Sequence, residues 1–142
     1  MMIYVNGQDI HKLICANLSN NQDQVLVDQT DSGPEGYMKA FCSFLEKINC
    51  SLNDIEKLFV VIGPGSATAL RGSLSLINTL AFTKGIGLVG IEKKSDEQDI
   101  DTINKILEQG LSTFEVKNVL IPIYEHNPRI TISTKDVLRR KV

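Results

Sequence analysis

One stretch limits the folds open to this chain more than any other: "LFVVIGPGSATALRGSLSLINTLAF", residues 58–82. Leu58 to Ile62 are apolar and β-rich with no polar alternation, the pattern of a strand covered on both faces in the middle of a sheet. Gly63, Pro64 and Gly65 allow a tight turn, and a helix is predicted from about Thr68 to Lys84. Its Leu70, Leu74, Ile77 and Ala81 form one stripe, with Leu76 and Leu80 beside it. "IGLVGI" (86–91) reads as the next strand.

The flanking segments fill in the rest of the domain. "MIYV" (2–5), "KLICANL" (12–18) and "QVLVDQ" (24–29) read as strands of an antiparallel meander, separated by Asn6-Gly7 and by the polar "SNNQD". Tyr37, Phe41, Phe44, Leu45 and Ile48 recur at helical spacing, widened by Met38 and Cys42 into a broad apolar face. Ser51 and Asp54 have the spacing of a capped helical turn. The run "EKKSDEQDIDT" reads as a solvated face leading into a third helix, with Ile100, Ile103 and Leu107 on one side and Gly110 as its stop. In "VLIPIY" (119–124), Pro122 lacks a donor, so the run is expected to be an edge strand or an extended tail. The class is α/β or α+β: helices covering a mixed sheet.

A chain of 142 residues accommodates one domain. A net charge of −2 leaves no excess of positive charge to hold nucleic acid by counterion release, so any service to RNA would run through another chain. Cys15, Cys42 and Cys50 are odd in number, lack CxxC spacing and lie in or beside apolar runs, which fits reduced thiols. The start "MMIYVNGQDIHK" has no secretory pattern and no run approaches the ~20 apolar residues of a membrane span. The expected location is the cytoplasm, away from any membrane.

The turn itself admits two readings. Gly63, Pro64 and Gly65, with Ser66 or Thr68 capping the helix, leave backbone N–H groups at the positive end of its dipole, where a phosphate could be held. The same residues serve equally well to aim the helix, and the loop has neither the lysine nor the spacing of a P-loop. His11 and His126 lie far apart with no metal-binding spacing, so no metal is expected. GPGSA is not a nucleophile elbow, and no catalytic residue is assigned.

The span "SLNDIEKLFVVIGPGSATALRGSLSLINTLAFTKGIGLVGIEKK" resembles the TsaB family, the partner subunit of the bacterial tRNA threonylcarbamoyladenosine machinery. The family pattern there is an "SLxDI" turn, an apolar strand, GPGSFTGLR, a Gly/Ala-rich helix and a strand. Ala67 stands for the family's Phe and Ala69 for its Gly. "LIPIYEHNPRITIS" (120–133) is similar to the family's closing tail. The resemblance implies an actin-like (ribonuclease H-like) lobe over residues 1–142, with 119–134 as a C-terminal strand or tail and the second lobe missing. It departs where the family's first strand ends in Asp-Thr-Ser, because this chain has Asn6 and Gly7. A neutral amide does not anchor a magnesium-bound phosphate as a carboxylate does.

The same resemblance implies a non-catalytic role: pairing with a TsaD-like catalytic subunit through a two-helix face, recruitment of a TsaE-like ATPase, and a possible homodimer through the same helices. No cofactor is expected on this chain alone, with ADP or ATP at most at the junction with a partner. The expected interface is Tyr37, Met38, Phe41, Phe44 and Leu45 on one helix, and Arg71, Gly72, Ser75, Asn78, Thr79 and Phe82 on the other. Taken without the resemblance, the broad stripe is simply core. Taken with it, Phe41→Asp or Leu45→Asp is expected to break assembly in a chain that stays folded. Binding of phosphate or nucleotide by Gly63, Pro64, Gly65, Ser66 and Thr68 is the alternative function.

Overall fold

A computed structural model describes residues 1–19, 25–30 and 33–124. Their strands are β1 (Met2–Asn6), β2 (Lys12–Asn17), β3 (Val25–Gln29), β4 (Lys57–Gly63) and β5 (Gly87–Glu92), and their helices α1 (Tyr37–Lys47), α2 (Ala67–Lys84) and α3 (Asp99–Gln109). The strands form one mixed sheet in the order β3-β2-β1-β4-β5. β1, β2 and β3 pair antiparallel as the expected meander, while β1-β4 and β4-β5 are parallel.

The unbroken apolar run of β4 has the cause expected of it. Leu58 and Val60 face a core built with Ile3, Val5, Leu13 and Leu88 beneath α1 and α2. Phe59 and Val61 face the opposite core with Tyr4, Ile14, Val89 and Ile91 beneath α3. Phe59 also meets Phe114 edge-on, ring centres 5.6 Å apart. A strand with both faces buried cannot afford a polar residue on either.

Local chemistry sets the element ends. Ser66 caps α2, its Oγ accepting from the Ala69 N–H, and Gly85 closes the helix in the left-handed region. Ser51 and Asp54 form the expected capping box, which places the Asp54 carboxylate against the Ser51 N–H and hydroxyl and lowers its pKa. The run 119–124 follows its second expectation, an extended tail. Leu120 is buried, the Ile123 N–H donates to the Ile62 carbonyl at 2.8 Å, and Tyr124 makes an isolated bridge to Gly65. The rest of the 119–134 segment, and His126, lie outside the described residues.

The broad face of α1 is core, contrary to the expectation that it carries surplus apolar surface for a partner. Tyr37, Phe41 and Phe44 are 0% exposed, and Leu45 is buried with them against β1, β2 and α2. One side of a five-stranded sheet is covered by only two helices, so each must present a wide stripe, and α1 needs all of its aromatics to do so. Gly72 is a second correction. The room left by its missing side chain is taken by Pro34 and Tyr37 of the same chain, so it is no seat for a foreign helix.

Burial of tyrosines ties the fold to pH. Burial, assisted by Asp9, pushes the Tyr37 hydroxyl up to about 12, and burial followed by the Asp99 carboxylate raises that of Tyr4 further. An unfolded chain releases these protons near pH ~10, so the folded state alone retains them above that value. Stability is therefore expected to hold up to about pH 9 and to fall between there and pH 12, measured as the urea midpoint. Tyr4→Phe should flatten the fall, and equal midpoints at pH 7 and pH 11 would contradict this linkage.

Candidate functional site

The carboxyl ends of parallel strands β1, β4 and β5 open together onto a cavity of about 550 Å³, the usual place for a ligand in an open α/β sheet. Its walls come from three segments far apart in sequence: the β1-β2 turn (Asn6 to Ile10), the start of α2 (Ser66) and the stretch from Lys93 to Asp99. Lys12 and Ile14 of β2 complete the lining.

Gln8 holds these segments together. Its amide donates to the carbonyls of Pro64 (2.9 Å) and Lys93 (2.7 Å), its Oε1 accepts from Lys93 Nζ (3.3 Å), and its backbone N–H donates to Asn6 Oδ1 (2.9 Å). Asn6, at the end of β1, donates through Nδ2 to Asp99 Oδ1 at 2.7 Å, and the Tyr4 hydroxyl donates to the same oxygen at 2.6 Å. Glu97 pairs with Lys105 and accepts from Thr102, and its pKa is lowered chiefly by the lysine.

Within the 63–68 loop, geometry separates residues that the sequence placed together. Ser66 lines the cavity. Gly63 and Gly65 are buried, and the chain itself uses the loop's backbone: the Lys93 N–H donates to the Gly63 carbonyl at 2.9 Å, Gln8 to that of Pro64, and Gly65 bridges Tyr124. The Gly63-Pro64 peptide is cis. Thr68 is exposed on the first turn of α2.

A second surface is the outer side of the α1/α2 layer. Of the residues expected at an interface, Met38 (40% exposed), Arg71, Ser75, Thr79 and Phe82 (91%) reach solvent. Positions 71, 75, 79 and 82 fall on one stripe of α2 by helical spacing. Thr79 Oγ1 donates to the Ser75 carbonyl and Arg71 Nε to that of Ala67, which hold both side chains close to the helix. Asn78 is turned to internal use, clamping Leu120 by donating to its carbonyl (3.0 Å) and accepting from its N–H (2.9 Å).

No motif marks Gln8, Lys93 or Asp99 as cavity residues. The charge run containing Lys93 looked like a solvated face, yet Val89, Ile91 and Lys93 continue the two-residue alternation that buries one side of β5. That alternation was the available signal. Nothing local marks Gln8, whose role exists only because three loops converge. Among the described residues, no three His, Cys, Asp or Glu side chains gather where a metal would be held, and no helix is long and apolar enough to cross a membrane.

This sheet order, with two helices on one face and one on the other, is a single lobe of the YeaZ-like, actin-like fold. YeaZ from Pseudomonas aeruginosa superposes with a TM-score of 0.56 at 13% identity, over 64% of this chain and 44% of that one. A second Pseudomonas aeruginosa structure, described as an uncharacterized protein with similarity to peptidase YEAZ, gives 0.51 at 11% identity, over 64% and 42%. By sequence, residues 35–94 match the model of the family "TsaD: tRNA N6-adenosine threonylcarbamoyltransferase". The tRNA N6-adenosine threonylcarbamoyltransferase of Clostridioides difficile (strain 630) is 45% identical over 47 residues, 33% of this chain and 14% of that protein. The matched regions thus span less than half the length of each of these proteins.

Proposed function

We propose that this chain is a non-catalytic subunit of the tRNA threonylcarbamoyladenosine machinery, acting in the cytoplasm by binding a TsaD-like catalytic subunit. The observation that carries the reading is Phe82, the most exposed of the large apolar side chains described, set on the same α2 stripe as Arg71, Ser75 and Thr79. Met38 extends the surface onto α1, and the buried Tyr37, Phe41, Phe44 and Leu45 hold the two helices in place from beneath. The likeness in fold to YeaZ and the sequence match to the transferase family support the pathway. Asn6 supports the reading that no cofactor is held by this chain alone, because a neutral amide already donating to Asp99 stands where the family's first strand ends in a carboxylate. A TsaE-like ATPase, and ADP or ATP, would join at the boundary between the two subunits, and tRNA would be met only through the partner.

The test is co-expression with the threonylcarbamoyltransferase of the same organism, followed by size-exclusion chromatography with mass determination. Wild type is expected to elute as a one-to-one complex. Phe82→Asp should weaken it by about thirtyfold or more, as loss of an interface anchor does, while the circular dichroism spectrum is unchanged. Separate elution of the wild-type chains, self-pairing that excludes the partner, or undiminished affinity in Phe82→Asp would overturn the reading.

A further inference from the structure

The outer edge of β5 is unpaired beyond its first residues. The Leu88 N–H and carbonyl bond those of Lys117, while the Gly87 and Lys93 N–H groups donate inward, to the carbonyls of Glu56 and Gly63 on the β4 side. The two-residue alternation of a strand therefore aims the N–H and carbonyl groups of Gly90 and Glu92 away from the sheet, and among the described residues none of them has a partner there. A free edge of this kind is a template for one more strand.

That edge borders a groove. Cavities of about 410 and 460 Å³ adjoin it, and both are lined by Ile62, Gly90 and Phe114. The first reaches Glu92 and Ile106 of α3, the second Val119 and Ile121 of the tail. Of the seven large apolar side chains exposed among the described residues, four (Val116, Val119, Ile121 and Ile123) belong to the segment that flanks this edge, so the surface beside the groove is apolar.

We propose that residues 129–133 of the same chain ("RITIS"), which lie outside the described residues, add to β5 as an antiparallel sixth strand and close this groove. The described chain ends at Tyr124, bridged to Gly65 just past the end of β4. A sixth strand would stand two strand spacings from β4, about 10 Å, and the four residues 125–128 reach up to ~13 Å, with Asn127-Pro128 to turn the chain. Entering from the carboxyl end of β5, the segment runs antiparallel to it and brings Arg129 to the Glu92 end. Ile130 and Ile132 alternate with Thr131 and Ser133, so both fall on one face, where they fill the cavities against Phe114. Charge agrees with this return: residues 125–142 hold five of the fifteen Lys and Arg but two of the seventeen Asp and Glu, so the segment is basic and the body it meets is acidic. The inference does not rest on the assembly reading, since the groove shares no residue with the α2 stripe that carries Phe82.

The experiment is nuclear magnetic resonance of the full, isotope-labelled chain, with nuclear Overhauser contacts and amide hydrogen exchange read at β5. Contacts between Gly90–Glu92 and residues 129–133 are expected. The Gly90 and Glu92 amides should exchange at least about tenfold more slowly in the wild type than in the double variant Ile130→Asp/Ile132→Asp, whose carboxylates do not enter an apolar cavity. A sample mixing labelled and unlabelled chains separates contacts within one chain, which support the proposal, from contacts between two chains, which would give the edge to a second copy and overturn it. Absence of the contacts, or equal exchange in wild type and variant, would overturn it as well. The wild-type contacts decide the matter by themselves if the double variant fails to fold.

Discussion

Phe41→Asp is expected to leave the chain unfolded at room temperature, with a flat near-ultraviolet circular dichroism spectrum and no cooperative urea transition. Phe41 is fully buried among Tyr37, Phe44 and the residues of β1, β2 and α2. Emptying such a site by itself costs about 3–5 kcal/mol, and the aspartate adds the desolvation of a carboxylate with no cation among the cluster's residues. Domains are stable by only about 5–15 kcal/mol, so the sum reaches the whole of that margin for one of this size. The outcome separates the two surfaces of α1 and α2: Phe41→Asp should abolish assembly by destroying the fold, and Phe82→Asp by removing a contact. A folded Phe41→Asp chain that merely fails to pair would restore the broad stripe as an interface and contradict the core described above.

Gly63→Ala should have the next largest effect. Gly63 has φ of 132°, a conformation that side-chain-bearing residues rarely adopt, and a Cβ there would run into the backbone carbonyl of Ile123. The strained backbone alone costs about 1–3 kcal/mol, and the collision is with main chain, which cannot rotate away as a side chain would. The cheapest relief is to lift the tail, giving up the Ile123-to-Ile62 hydrogen bond and the bridge between Tyr124 and Gly65. The variant is therefore expected to lose about 3 kcal/mol in urea denaturation and to become open to proteolysis between Leu120 and Tyr124. Wild-type stability with an intact tail would show that the close approach of Gly63 to Ile123 has no energetic weight.

The elements that were legible in the sequence are those governed by neighbours along the chain. The unbroken run of β4, the Ser66 cap, the Ser51-Asp54 box and the Gly110 stop all appear where expected, because periodicity and capping act over a few residues. What a helix face packs against is not a local property. The α1 stripe has the same composition whether it meets a sheet or another protein, and the resemblance favoured the partner where the sheet was the answer.

The candidate site divides in the same way. Ser66 was visible as a capping residue, and Asn6 as a neutral amide at a strand end, from their positions alone. The cavity required β1, β4 and β5 to lie side by side before Gln8, Lys93 and Asp99, spread over 92 positions of numbering, could converge. The amino-acid sequence by itself determined the strands, the helices and their ends, since hydrophobic period and capping chemistry are written in adjacent residues. Only the tertiary structure decided which apolar surfaces remain for a partner and which lysine is buried with Gln8 and a backbone carbonyl as its hydrogen-bond partners, because both depend on what else the folded chain brings within a few ångströms.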